Sequence, residues 1–128
     1  MSEAERIADQ LHRAYAGGAW HGPALRELLR GVSAKQAAAR PVHGAHTIWE
    51  LVLHITAWKR AVCRRMQGKA LSLSPAENFP PMPKATLANW KKAQAALRTT
   101  QRDLHRAVSA LPDSRLKPIV PGKKYSLY

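Results

Sequence analysis

The sequence predicts an all-α protein, a bundle of long helices in one domain over residues 1–128. Two segments carry this prediction, because apolar residues recur at helical spacing through 47–68 and again through 86–111. Between them lies a proline-rich stretch, 69–85, that is long for a connection inside a compact domain. A connection of this length can join two helices that are not antiparallel neighbours.

The first predicted helix begins at a capping box formed by Ser2 and Glu5. Gly17 and Gly18 end it, since glycine tolerates the backbone conformation that closes a helix. Its inner face is formed by apolar residues at helical spacing: Ala4, Ile7, Ala8, Leu11, Ala14 and Tyr15.

Two shorter helical segments come next. Pro23 suits the first turn of a helix, and Gly31 stops that segment. Ser33 then caps a short alanine-rich helix that ends before Pro41.

The central helix is predicted between Thr47, which forms a capping box with Glu50, and Gly68. Trp49, Leu53 and Trp58 lie off its main apolar stripe, so its first turns are apolar nearly all round, as in a helix surrounded by others. His54 interrupts this pattern on the flank that it shares with Glu50 and Trp58. The main stripe consists of Ile48, Leu51, Val52, Ile55 and Val62.

Proline density predicts that 69–85 is an extended crossover without helix. The prolines are Pro75, Pro80, Pro81 and Pro83. The longest helix follows from Thr86 to Leu111, before Pro112. Its outer side carries Lys91, Arg98, Arg102 and Arg106, which are interpreted either as a solvated face or as an anion-binding strip.

The tail 113–128 ends in an apolar stretch, and Ser126 is predicted to cap the start of another helix. We therefore expect the bundle's fourth helix to be truncated or missing in this sequence. The groove that such a helix would fill gives the hypothesis of a homo-oligomer or a non-catalytic binding module.

The charge is strongly basic, with 21 Lys and Arg against 8 Asp and Glu and a formal net charge of +13. Electrostatic nucleic-acid binding is one hypothesis. A solvated basic surface is favoured over it, because the sequence contains no motif of a known nucleic-acid module.

No leader peptide and no membrane span are expected, and the single cysteine, Cys63, excludes an internal disulfide. A cytoplasmic location is the expectation from these features. Cys63 is interpreted as a partly buried spectator: Arg60 and Arg64 lie near it in sequence and can lower the pKa of a thiol, but no partner base is evident.

Several stretches together resemble the DinB-like family of four-helix-bundle proteins. They are AWHGPALRELL at 19–29, SAKQAAARPVHGAHTIWELVLHITAWKRAV at 33–62, ENFPPMP at 77–83 and VPGKKYSLY at 120–128. The resemblance covers nearly the whole chain and implies a bundle whose helices run up-down-down-up.

The resemblance also implies chemistry. Family members typically bind a divalent metal such as Zn²⁺ or Ni²⁺ through three histidines, and ELVLHITAW matches the first ligand position at His54. The other two form an H-x-x-x-H pair on the final helix, which residues 1–128 do not contain. Some relatives are low-molecular-weight thiol transferases. We therefore expect a protein that is related to metal-dependent enzymes but has an incomplete metal site. As the 128-residue chain it is expected to bind no metal and to be inactive. Its substrate is unassigned.

Three further residues are site candidates beside His54. Glu50 and Trp58 share its flank, and Glu50 is a candidate acceptor for its imidazole. His21, in the sequence WHGP, is a candidate substrate contact, or a loop histidine packed against Trp20. For His54 itself, the alternative to a ligand is a histidine at the edge of the core, hydrogen-bonded to Glu50 or to a backbone carbonyl.

Overall fold

The structure, a computed structural model, describes all of residues 1–128. It confirms the all-α class, with a 3₁₀ turn at Asp113–Arg115 after the last helix. No helix is long and apolar enough to cross a bilayer. The helices are α1 (Glu3–Ala16), α2 (Leu25–Leu29), α3 (Ala34–Ala38), α4 (Ile48–Met66), α5 (Pro75–Asn78) and α6 (Leu87–Ser109).

Capping boxes begin three of these helices, as predicted for the first and central helices. The side chains of Ser2, Ser33 and Thr47 each accept a backbone N–H from the third residue of the helix. These bonds satisfy donors that an α-helix leaves unpaired at its start. The boxes therefore place the starts of α1, α3 and α4 by local chemistry.

The two longest helices, α4 and α6, run parallel. Near their starts the indole rings of Trp49 and Trp90 pack together, with centroids 5.1 Å apart. Near their ends Met66 and Val108 belong to one buried cluster. A parallel pair cannot be joined by a tight turn, so the long connection that the sequence predicts is required here.

Helix α1 lies antiparallel to α6. The side chain of Gln101 donates to the carbonyl of Leu11 at 3.1 Å. Beyond the end of α6, the Asp113 carboxylate accepts the N–H groups of Glu3 and Ala4, at 3.1 and 3.0 Å, at the start of α1. The three long helices therefore run up, down and down, which is the order that the resemblance implies for the first three helices of the bundle.

The core has two parts along α6. The first contains the Trp49–Trp90 pair, and the Trp90 indole N–H donates to the carbonyl of Val32 at 2.9 Å. The Trp49 indole N–H is buried without a hydrogen-bond partner. The second part joins all three long helices through Ala8, Met66, Leu104 and Val108.

The crossover between α4 and α6 differs from its prediction, because it contains the helix α5. Ser74 caps this helix by accepting the N–H of Glu77 at 3.2 Å, and Pro75 occupies its first turn. Proline is compatible with that position, since the first helical N–H groups have no partner inside the helix. The prediction that proline density excludes helix from 69–85 was wrong at these four residues.

The tail also differs, because Ser126 does not cap a helix. It pairs instead with Ile119 in an isolated antiparallel bridge. The chain reverses at Gly122, whose φ of +74° favours glycine, and the N–H of Val120 donates to the carbonyl of Tyr125 at 2.8 Å. This turn brings Leu127 back against the second part of the core.

Candidate metal-ligand position on the central helix

The crossover runs back along one flank of α4. Near the end of α4, the Arg65 guanidinium donates to the carbonyl of Leu71 at 3.1 and 3.2 Å. Near the start of α4, the hydroxyl of Thr47 lies 3.9 Å from the sulfur of Met82. This antiparallel path returns the chain to the end where α4 begins, and it covers the flank that carries His54.

His54 is held by three contacts on this flank. Its Nδ1 lies 2.7 Å from the carbonyl oxygen of Asn78. Its ring stacks on Phe79, with centroids 4.1 Å apart and planes 8° apart, and meets the edge of Trp58 at 6.4 Å. The ring is therefore fixed in orientation by a loop that arrives from outside its own helix.

The carbonyl partner also fixes the tautomer of neutral His54. Because a carbonyl oxygen only accepts, Nδ1 must carry the proton, and Nε2 keeps its lone pair. Nε2 has no hydrogen-bond partner and is not sealed from solvent. An imidazole that donates Nδ1–H to a carbonyl and presents Nε2 has the arrangement of a metal-ligating histidine.

Trp58 is tied to the same loop. Its indole N–H donates to the side-chain oxygen of Asn78 at 2.6 Å, so Asn78 holds both aromatic side chains. The Arg65 guanidinium lies 5.3 Å from the Trp58 ring and also donates to the hydroxyl of Tyr125 at 2.8 Å. Arg65 is buried without a carboxylate partner, so the indole face and oxygen acceptors supply its contacts.

Glu50 serves a different histidine from the one expected. Its carboxylate accepts from Nδ1 of His46 at 2.9 Å and from the Arg40 guanidinium, and it closes the capping box at Thr47. The hydrogen bond from His46 is the largest cause that lowers the pKa of Glu50 to about 2. Burial opposes it as the second-largest effect, and the hydrogen bonds from Arg40 and from the Thr47 backbone add to the decrease. Glu50 therefore anchors the entry to α4, and the acceptor for His54 is a backbone carbonyl.

Phe79 lies between two imidazoles. Its ring stacks on His46 at 3.9 Å on one face and on His54 at 4.1 Å on the other, with planes 8° apart in each case. The sequence analysis did not single out Phe79, Asn78 or His46. The sequence did contain one signal for His46. His46, Glu50 and His54 are spaced at four-residue intervals, which places them on the same side of α4 and of the segment that leads into it.

The structure places His21 elsewhere. It is exposed beside Trp20, with ring centroids 5.7 Å apart, and borders a groove along α1 rather than the His54 flank.

Cys63 is a weak candidate for nucleophilic chemistry. Burial raises the pKa of its thiol, and Asp103 adds to the increase, while Lys59 opposes it. Arg60 and Arg64 are not among the causes of this shift. The thiol is therefore protonated at neutral pH and less reactive than a free cysteine.

A family model of the DinB superfamily matches residues 19–126. The chain belongs to the DinB superfamily. No curated protein and no solved structure shows a match that would add a specific activity or ligand set. For this DinB protein, the superfamily and the helical fold are therefore established.

The DinB superfamily is generally metal-associated, but the donors near His54 in this chain do not fit a metal ion. No three His, Cys, Asp or Glu side chains form a group that could hold one. His46 is the nearest imidazole on this flank, and the Phe79 ring separates it from His54, whereas two ligands of one zinc ion must each lie about 2 Å from it. The pair His12 and His105, with centroids 5.7 Å apart between α1 and α6, also lacks a third donor.

Proposed function

We propose that residues 1–128 form a DinB domain that presents one ligand of a divalent-metal site, His54, without forming a working metal centre by themselves. The observation that carries this proposal is the hydrogen bond from His54 Nδ1 to the Asn78 carbonyl, which leaves Nε2 free. A histidine at the edge of the core that donates to a backbone carbonyl would form the same bond, and the metal association of the DinB superfamily is what favours a ligand position. A relation to metal-dependent thiol transferases is the activity class that the family resemblance supports.

A metal titration tests the incomplete site. We expect no submicromolar binding when Ni²⁺ or Zn²⁺ is titrated into the 128-residue protein by calorimetry, because a single imidazole supplies too few ligands. His54→Ala should leave the titration unchanged. A tight site that is lost in His54→Ala but kept in His43→Ala, which removes an exposed loop histidine, would contradict the proposal.

The ligand geometry has a test of its own. A long-range ¹H–¹⁵N spectrum above the pH at which histidine protonates should show His54 as the Nδ1–H tautomer. Finding the proton on Nε2 would remove the argument for a prepared ligand, whatever the metal titration gives. Asn78→Ala, which keeps the backbone carbonyl, should leave this tautomer in place.

A second candidate function is self-association through an apolar face. Ile48 and Leu51 on α4 are 39% and 44% exposed, which is unusual for the main apolar stripe of a central helix. A separate groove of about 410 Å³ on α1 is lined by Ile7, Leu11 and Ala14 and contains no residue of α4. We propose a second copy of this chain as the partner, because an exposed apolar face of this kind is typical of an interface.

Sedimentation velocity over a range of concentrations tests this candidate. We expect a dimer that Leu51→Gln weakens and that Leu28→Gln leaves intact, since Leu28 is exposed on α2 and does not belong to this face. A monomer at every concentration would exclude the candidate.

A further inference from the structure

Three arginines line one small pocket on the side of α6 that faces α1 and α2. Arg26 and Arg30 come from α2 and the residue that follows it, and Arg98 comes from the middle of α6. The pocket has a volume of about 220 Å³. It is distinct from the His54 flank, which lies on α4 beneath the crossover.

No carboxylate lines this pocket. Glu27 is the only acidic residue of α2, and its side chain lies toward Gly17. None of the three arginines forms an ion pair, although Arg26 donates to the carbonyl of Ala16 at 3.2 Å. Three positively charged side chains line the pocket without a counterion, so the pocket favours an anionic guest.

The remaining lining indicates what kind of anion fits. Leu29 and Leu97 give an apolar wall, and Tyr15 adds an aromatic ring. Gln94 adds an amide that can donate a further hydrogen bond. A guest with a compact anionic end and a small organic part would use both halves of this lining.

We propose that this pocket binds the phosphate group of a small phosphomonoester. A phosphate carries close to two negative charges and several acceptor oxygens, which suits guanidinium groups that approach from two different elements. A carboxylate has one charge and two oxygens, which a single arginine can satisfy. The organic part of the ester lies against the leucines and Tyr15.

Calorimetric titration of the 128-residue protein with phenyl phosphate, inorganic phosphate and benzoate tests the ligand class. We expect phenyl phosphate to bind most tightly, inorganic phosphate more weakly because it leaves the apolar wall unused, and benzoate most weakly. Binding of benzoate or inorganic phosphate as tight as that of phenyl phosphate would overturn the proposal. So would binding of a single-stranded oligonucleotide without binding of phenyl phosphate, which would indicate a nucleic-acid surface instead.

Matched variants test whether phenyl phosphate binds in this pocket. Arg30→Gln and Arg98→Gln should each weaken phenyl phosphate binding roughly tenfold, because each removes a charge-assisted hydrogen bond. Arg106→Gln removes the same charge from the same helix outside the pocket and should leave the affinity nearly unchanged. An equal loss in all three variants would show that only overall charge matters and would overturn the proposal.

The three substitutions are not expected to change the stability of the fold, so their affinities for phenyl phosphate can be compared directly. Arg30, Arg98 and Arg106 are exposed, and none of their side chains makes a hydrogen bond to the protein. We expect their thermal unfolding to match that of the parent protein. Arg26 is left unchanged, because its bond to the end of α1 has a structural role.

Discussion

Glu50 shows how one side chain can connect separate segments of the chain at the start of a helix. Its carboxylate receives a hydrogen bond from His46 on one side and from Arg40 on the other, and it also belongs to the capping box of α4. These donors favour the charged form, which is why the pKa of Glu50 falls from 4.5 to about 2. A folded-state pKa below the unfolded one makes the contribution to stability depend on pH.

The sign of that dependence can be tested with Glu50→Gln. The contribution of Glu50 is complete above the unfolded pKa near 4.5 and is lost as the pH falls toward 2. At neutral pH the substitution should therefore cost about 1 kcal/mol of unfolding free energy, and the difference should shrink as the pH falls through this window. Urea unfolding at several pH values measures it.

Glu77→Gln is the control, because it makes the same substitution at a glutamate that forms no ion pair. A difference for Glu50→Gln that stayed constant from pH 4.5 to 2 would contradict the assigned cause.

The sequence identified His54 but not what holds it. His54 was visible because a polar ring interrupts an apolar helical pattern. Its acceptor is a backbone carbonyl 24 residues away, and a carbonyl has no residue type that sequence could reveal. Glu50 is a candidate acceptor for His54 in the sequence because the two are one helical turn apart, and its capping role is the alternative, which the structure shows. The structure instead brings Glu50 to His46, since the loop before α4 folds back over the carboxylate.

At the scale of elements, the crossover is attached to α4 mainly through aromatic contacts. Phe79 fills the space between His46 and His54, and the neighbouring Asn78 receives hydrogen bonds from His54 and Trp58. The helix caps were predictable because each depends on residues within one turn. The short helix α5 was not, because the prediction treated every proline as a helix breaker, whereas Pro75 sits in a first turn.

Phe79→Ala should loosen the crossover. We expect a loss of about 2 kcal/mol in unfolding free energy, because the substitution removes two ring contacts and leaves a space between two imidazoles. Phe79→Leu should cost less, since it keeps much of the apolar volume. Chemical denaturation gives both values, and an alanine variant within about 0.5 kcal/mol of the parent would show that the stack contributes little.

At the scale of the molecule, the basic charge opposes compactness. The net charge is +13, and the structure contains only four arginine–carboxylate pairs within 4.0 Å. On α6 the exposed residues Arg98, Arg102 and Arg106 follow one another at four-residue intervals, where like charges repel. Repulsion between exposed charges weakens as salt screens them.

Arg102→Gln should therefore raise the melting temperature at low salt, corresponding to about 0.3 kcal/mol, because it removes the middle charge of the series. The gain in melting temperature should disappear at about 0.5 M NaCl, where the screening length is only a few ångströms. Thermal unfolding followed by circular dichroism at both salt concentrations measures the effect. A gain that is independent of salt would point to helix propensity rather than charge.

The parallel arrangement of α4 and α6 also affects how the protein folds. The side chains of Lys59 and Gln101 meet across 42 residues of sequence, and the Gln101 side chain meets the backbone carbonyl of Leu11 across 90. In a bundle of hairpin-linked helices, neighbours meet after closing a short loop. Here α6 can align with α4 only after the crossover has turned back, so much of the pairing must wait for a long loop to close. We infer that this protein folds more slowly than a hairpin-connected helical bundle of the same size.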